Sequence, residues 1–208
     1  MNTDVSETKP EMGCGLCLVG CGILQREVDA VIAHRGWSLA THYLDSSLHL
    51  DYRELKNQLT QALAEHPKGS SLVFYGCCHP LMDRILAESD AVRPPGQNCL
   101  SMLLGDELFQ KELLAGSFFL LEEWTQNWHQ VMEKTFGKKK QINAEIFRAS
   151  HKGFLAINTP CSGDFTQAAE AIAQEMNLPL RWINVNLDHL EQVLEEALRL
   201  RLARRATS

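Results

Sequence analysis

The chain has 208 residues, a mass of 23.4 kDa, a formal net charge of −6 and 45% hydrophobic residues, which excludes extended disorder and leaves room for one large domain or two small ones. A domain of this size buries roughly 70% of the surface its unfolded chain exposes, so any metal serves function and not stability. Basic clusters occur only at 138–140 and 199–205 and read as solvated surface, which argues against nucleic acid, and no apolar run approaches the roughly 20 residues of a membrane span. Seven cysteines, behind twelve residues that carry acids and Pro10 in place of a basic and then apolar leader, point to a reducing, cytoplasmic compartment.

Residues 1–12 read as a disordered tail, and from Gly13 short apolar runs alternate with longer amphipathic ones, the pattern of an α/β domain. The first expected strand covers 16–24. A helix over 25–34 follows, with Val28, Val31 and Ile32 on one stripe, and stops at Gly36. Residues 37–44 read as a second strand. Beyond a loop at 45–50, the segment 51–66 sets Leu55, Leu59, Ala62 and Leu63 at helical spacing behind Asp51 as N-cap. The third strand, 71–75, runs into Gly76-Cys77-Cys78-His79-Pro80, the kind of junction where chemistry sits.

A helix at 81–88, a proline-bearing connector at 93–96 and a helical stretch from Cys99 past Gly105 to Leu114 come next. A fourth strand is expected at 117–122. Helices over 126–136 and near 142–149 flank the exposed 138–140 link, and strand, turn and helix recur at 153–158, 159–164 and 165–176. A strand at 180–186 and a helix at 190–202 close the chain. The fold expected is α/β, with two facing Rossmann-like βαβ halves built on parallel sheets, 13–115 and 116–202, and a tail at 203–208. One continuous doubly wound sheet is the alternative.

In open parallel sheets, ligands bind beyond the carboxyl ends of the strands. Cys21 lies near the end of the first strand, Cys77 and Cys78 follow the third, Cys99 opens a helical stretch, and Cys161 follows the strand ending near Asn158. The bland reading is that such thiols are small core hydrophobes. That reading is stronger for Cys14 and Cys17, because a strand there turns their side chains apart. Scattered single cysteines converging from several loops suit an iron–sulfur cluster as well as zinc. The cluster is favoured because the paired short-spacing knuckles of structural zinc are absent elsewhere. Three thiolates on a four-iron cluster leave the fourth iron open to a substrate.

Four segments resemble the family catalogued as domain of unknown function 1638: Cys21-Gly22-Ile23-Leu24, Tyr75-Gly76-Cys77-Cys78, the run from Cys99 to Gly105, and Trp124 after the fourth strand. The resemblance spans roughly 16–200 and selects Cys21, Cys78 and Cys99 as the cofactor site; Cys161, from its place after a strand of the other half, is a further candidate metal ligand that either completes the set or only flanks it. It departs from the family pattern at His79-Pro80 and Gln97-Asn98. The resemblance also implies company with corrinoid-dependent methyl-transfer systems in anaerobes.

Other residues carry weaker signals. His79 reads as a ligand or acid beside Cys78 or as surface, and Glu122, Glu123 and Trp124 read as the mouth of the crevice or as a solvated strand end. The run 158–164 reads as an anion site or as a capped βα turn. No dinucleotide, P-loop or serine-hydrolase motif occurs. The expected function is therefore a cytoplasmic [4Fe-4S] protein working on a small-molecule substrate or with a redox partner protein. The alternatives are a zinc-dependent protein, or a non-enzymatic module that binds a small molecule or a corrinoid partner.

Overall fold

The computed structural model describes residues 12–138 and 140–207. Of the tail expected at 1–12, residues 1–11 lie outside the described residues, as do Lys139 and Ser208, while Met12 is partly buried against the core between the sheets. Strand β1 (Leu16–Cys21) alternates its side chains between two cores: Leu16 and Leu18 face one, Cys17 and Val19 the other. It pairs in parallel with β2 (Leu39–Leu44) and with β3 (Ser71–Phe74), giving the order β2-β1-β3. A second parallel sheet has the order β4-β5-β6, from Ser117–Leu120, Gly153–Asn158 and Leu180–Asn184. The two halves are thus separate three-stranded parallel sheets, each flanked by helices, and the single continuous sheet is not formed.

Three hydrophobic layers hold the sheets. On the outer face of the first sheet lie α2 (Tyr52–Ala64) and α3 (Met82–Glu88), which bury Leu55, Leu59, Ile85 and Leu86. Outside the second sheet, α7 (Trp128–Phe136), α8 (Lys140–Ser150) and α9 (Thr166–Met176) surround Phe154 and Ala156. Between the sheets, α1 (Gln25–Arg35), α4 (Cys99–Leu104), α5 (Asp106–Leu114) and α10 (Asp188–Ala206) share one core with Leu18, Phe74, Phe119, Leu155 and Ile157. Helix α10 follows the last strand of the second sheet, yet packs against α1, α4 and β3 of the first. No helix among the described residues is long and apolar enough to cross a membrane.

Local chemistry explains the boundaries. Asp51 caps α2 as expected, its carboxylate accepting from the Glu54 N–H at 3.0 Å. Gly36, in the left-handed conformation at φ 61°, ends α1. The first strand stops at Cys21, where Gly22–Leu24 turns into a 3-10 helix, and a second such turn, Ser46–Leu50, occupies the expected loop. The helix expected to run past Gly105 breaks there into α4 and α5, because that glycine sits at φ 79°, ψ 152°. The fourth strand ends at Leu120, two residues short of the expected limit, and Glu122, expected as its last residue, instead opens α6 (Glu122–Gln126).

Arg201, expected as solvated surface, is 1% exposed. Its guanidinium donates to the Asp90 carbonyl and, at 3.2 Å, to the Asp90 carboxylate, so α10 is tied to the turn before the 93–96 connector. Polar ties also join the halves at the strand ends. Arg26 pairs with Glu122 at 2.8 Å, and the Thr159 hydroxyl donates to buried Glu27 at 2.7 Å.

A three-thiol cavity at the sheet ends

Cys21 is the last residue of β1, Cys78 lies in the loop after β3, and Cys99 is the first residue of α4. All three line one cavity of about 320 Å³, together with Tyr75, His49 and Trp124. A backbone contact makes this convergence possible. The chain at Gln97 and Asn98 passes so close to Gly76 that a Cβ there would lie 2.1 Å from the Gln97 carbonyl oxygen and 2.6 Å from the Asn98 Cα. The Cys77 N–H donates to that carbonyl at 2.7 Å, which docks the start of α4 on the end of β3.

The start of α4 is fixed by a reciprocal cap. The Asn98 side chain accepts from the Ser101 N–H at 2.9 Å, and the Ser101 hydroxyl oxygen accepts from the N–H groups of Gln97 and Asn98 at 2.9 and 3.2 Å. Cys99 is held at the first turn as a result. The sequence shows this only as Asn-Cys-Leu-Ser, without the partner strand end that gives the cap its purpose.

Burial dominates the electrostatics. It pushes the Cys21 thiol up to about 12, and the Cys78 and Cys99 thiols are also raised, each of the three feeling at least one other cysteine. Backbone N–H groups oppose the shift: Ile23 at Cys21, Gly76 at Cys78, and Leu100 with Cys99 itself at Cys99. The Arg93 guanidinium acts in the same direction on Cys78. Without a compensating charge these thiols keep their protons, whereas a cationic centre would deprotonate all of them. A donor set of three thiols lining one cavity fits a thiolate-bound metal or cluster. Among the described residues, no three His, Cys, Asp or Glu side chains already stand as a compact ligand group for a single ion.

The remaining cysteines separate from this trio. Cys77 is exposed at the cavity rim, 3.8 Å from the Arg93 guanidinium, while Cys78 packs inward against the outer core. Cys17 is buried in that same core and Cys14 is exposed. Cys161 does not line the cavity; its charged neighbours are Glu27 and Arg26, and its N–H donates to the Thr159 hydroxyl. All seven cysteines are free.

His79 is buried and not on the surface, and its Nδ1 accepts from the Leu81 N–H at 2.9 Å. Trp124 lines the thiol cavity, and Glu122 and Glu123 line a neighbouring polar cavity of about 440 Å³, so this run is not a solvated strand end. The turn at 158–164 is capped by Asp164, which accepts from the Thr166 N–H at 3.0 Å and lies below its usual carboxylate range for that reason. Two site residues have no signature in the sequence. His49 stacks on Trp124 at 5.3 Å and donates from Nδ1 to the Ser46 carbonyl at 2.5 Å. Tyr75 stands just beyond β3, with its hydroxyl buried and without a hydrogen-bond partner.

No curated protein and no solved structure matches the chain. A family model described as a protein of unknown function, DUF1638, matches residues 43–194, a segment that contains Cys78 and Cys99 and begins after Cys21. With more than half of its length matched, the chain belongs to the DUF1638 family.

Proposed function

We propose that the chain binds an iron–sulfur cluster, of the [4Fe-4S] type, through Cys21, Cys78 and Cys99, and uses it for redox or small-substrate chemistry at the crevice between the halves. The observation that carries the reading is the meeting of three thiols, drawn from three segments far apart in sequence, in the lining of one cavity. Hydrogen bonds to sulfur, burial and cysteine ligation are the protein's means of tuning such clusters. A cluster held by three thiolates leaves one iron for an exogenous ligand, which is the chemistry the group supplies when bound. The chain itself supplies the thiol cavity and, beside it, a polar cavity sharing Ile23 and Ser46 that suits a small substrate. Seven free cysteines suit the reducing cytoplasm.

A second reading rests on His49. Donation from Nδ1 to Ser46 leaves Nε2 of the neutral ring free, the arrangement typical of a ligating histidine, and with three thiols it would make a Cys3His zinc set. That reading requires the side chains to draw together around one ion. Anaerobic purification and reconstitution, followed by iron, acid-labile sulfide and zinc analysis, separates the two. About four irons and four sulfides per chain with broad absorption near 400 nm are expected; colourless protein with one zinc would overturn the cluster.

A further inference from the structure

We infer that the Tyr75 hydroxyl is the hydrogen-bond donor to a sulfur of the cluster bound by Cys21, Cys78 and Cys99, and so sets its reduction potential. The inference rests on the cluster reading above. Tyr75 is 3% exposed, and its ring belongs to the outer core with Val19, Leu55 and Val73. The hydroxyl at the end of that ring is buried and has no hydrogen-bond partner. Buried polar groups almost always find a partner, so an orphan is a group whose partner is still to come.

The surroundings indicate which partner. Tyr75 lines the same cavity as Cys21, Cys78 and Cys99. Once the thiols are deprotonated, every one of these groups is an acceptor, so the phenol can only donate. Two atoms of other polar side chains at the cavity are already engaged: His49 Nδ1 donates to Ser46, and Asn98 Oδ1 accepts in the cap of α4. A donated hydrogen bond favours the more negative, reduced state of a cluster and raises its potential.

The test compares wild-type chain with Tyr75→Phe, which keeps the ring and removes the donor. Both are reconstituted anaerobically, analysed for iron and sulfide, and titrated by an electron-paramagnetic-resonance redox series. The expected result is equal iron and sulfide, with the reduced-to-oxidised ratio at a fixed solution potential falling about tenfold, which is about 59 mV for one electron. In the metal-free chains the expected melting temperature of Tyr75→Phe is equal to or above that of wild type, because an unpaired buried hydroxyl has been removed. Equal loading with an unchanged potential overturns the inference and leaves the cluster reading standing. A wild-type chain that takes up neither iron nor sulfide overturns both. Should the Phe variant fold poorly, difluorotyrosine at position 75 is the second arm: its more acidic phenol donates more strongly, and the potential must rise; no rise overturns the inference.

Discussion

Gly76→Ala tests the contact on which the whole site depends. The added methyl would sit 2.1 Å from the Gln97 carbonyl oxygen, 2.4 Å from its carbon and 2.6 Å from the Asn98 Cα. All three are backbone atoms, so no side-chain rotation relieves the clash, and the 97–98 segment must retreat by more than an ångström. Overpacking of this kind costs about 1–3 kcal/mol, and losing the Cys77-to-Gln97 hydrogen bond adds about 0.5–1.5 kcal/mol. A total near 2–4 kcal/mol lowers the melting temperature by about 4–16 °C for a chain of this length. The same retreat carries Cys99 away from Cys78, so reconstituted iron should fall to a small fraction of wild type. Gly36→Ala is the control: its Cβ meets nothing within 4 Å but must adopt φ 61°, which costs about 1–2 kcal/mol and should leave iron unchanged. A Gly76→Ala variant that melts within 2 °C of wild type (an experimental margin of about half the smallest shift expected) and binds full iron would refute the reasoning.

Single Ser replacements of Cys21, Cys78 or Cys99 should abolish most iron binding while circular dichroism stays native, whereas Cys14, Cys17 and Cys161 variants retain it; retention in Cys78→Ser with loss in Cys77→Ser would show that the exposed neighbour is the ligand. Glu112 accepts from Arg181 at 2.5 Å and from Ser117 at 2.8 Å, and the Arg181 bond above all holds its carboxyl below the usual value. Its contribution is therefore present above the unfolded-state value of about 4.3 and is lost as pH falls through the lower folded value. Urea unfolding should show wild type ahead of Glu112→Gln by about 1 kcal/mol at pH 7, with the gap closing toward pH 3; a gap independent of pH would count against the ion pair.

Where local chemistry decides the structure, the sequence was readable. Gly153–Asn158, bracketed by turn formers, is a strand with the expected limits, and Asp51 and Gly36 begin and end their helices as their side chains require. Local sequence misleads where a distant segment decides. Leu120 and Leu121 look like a strand that continues, but the acids after them start α6, and Glu122 is held there by Arg26 and the Gly163 N–H. Arg201 looks like surface in an Arg-rich helix, since nothing local reveals Asp90 waiting on another loop. The thiol site was legible as three strand or helix ends, because cysteines at such positions are few. Tyr75 and His49 were not, since an orphaned hydroxyl and a fixed imidazole tautomer exist only once the folded neighbours surround them.

The crossing of α10 onto the first sheet bears on the timing of assembly during synthesis. Phe74 and Leu72 enter the chain early, but the residues that cover their inner face, such as Val193, Leu194 and Leu198, come some 120 residues later. At about 5–20 residues per second, that interval is roughly 6–25 s. Throughout it an apolar sheet face remains open, and α4, which carries Cys99 and packs on α10, lacks its backing. The three thiols therefore come into register only after residues 188–206 have been made, long after Cys21, Cys78 and Cys99 themselves have entered the chain.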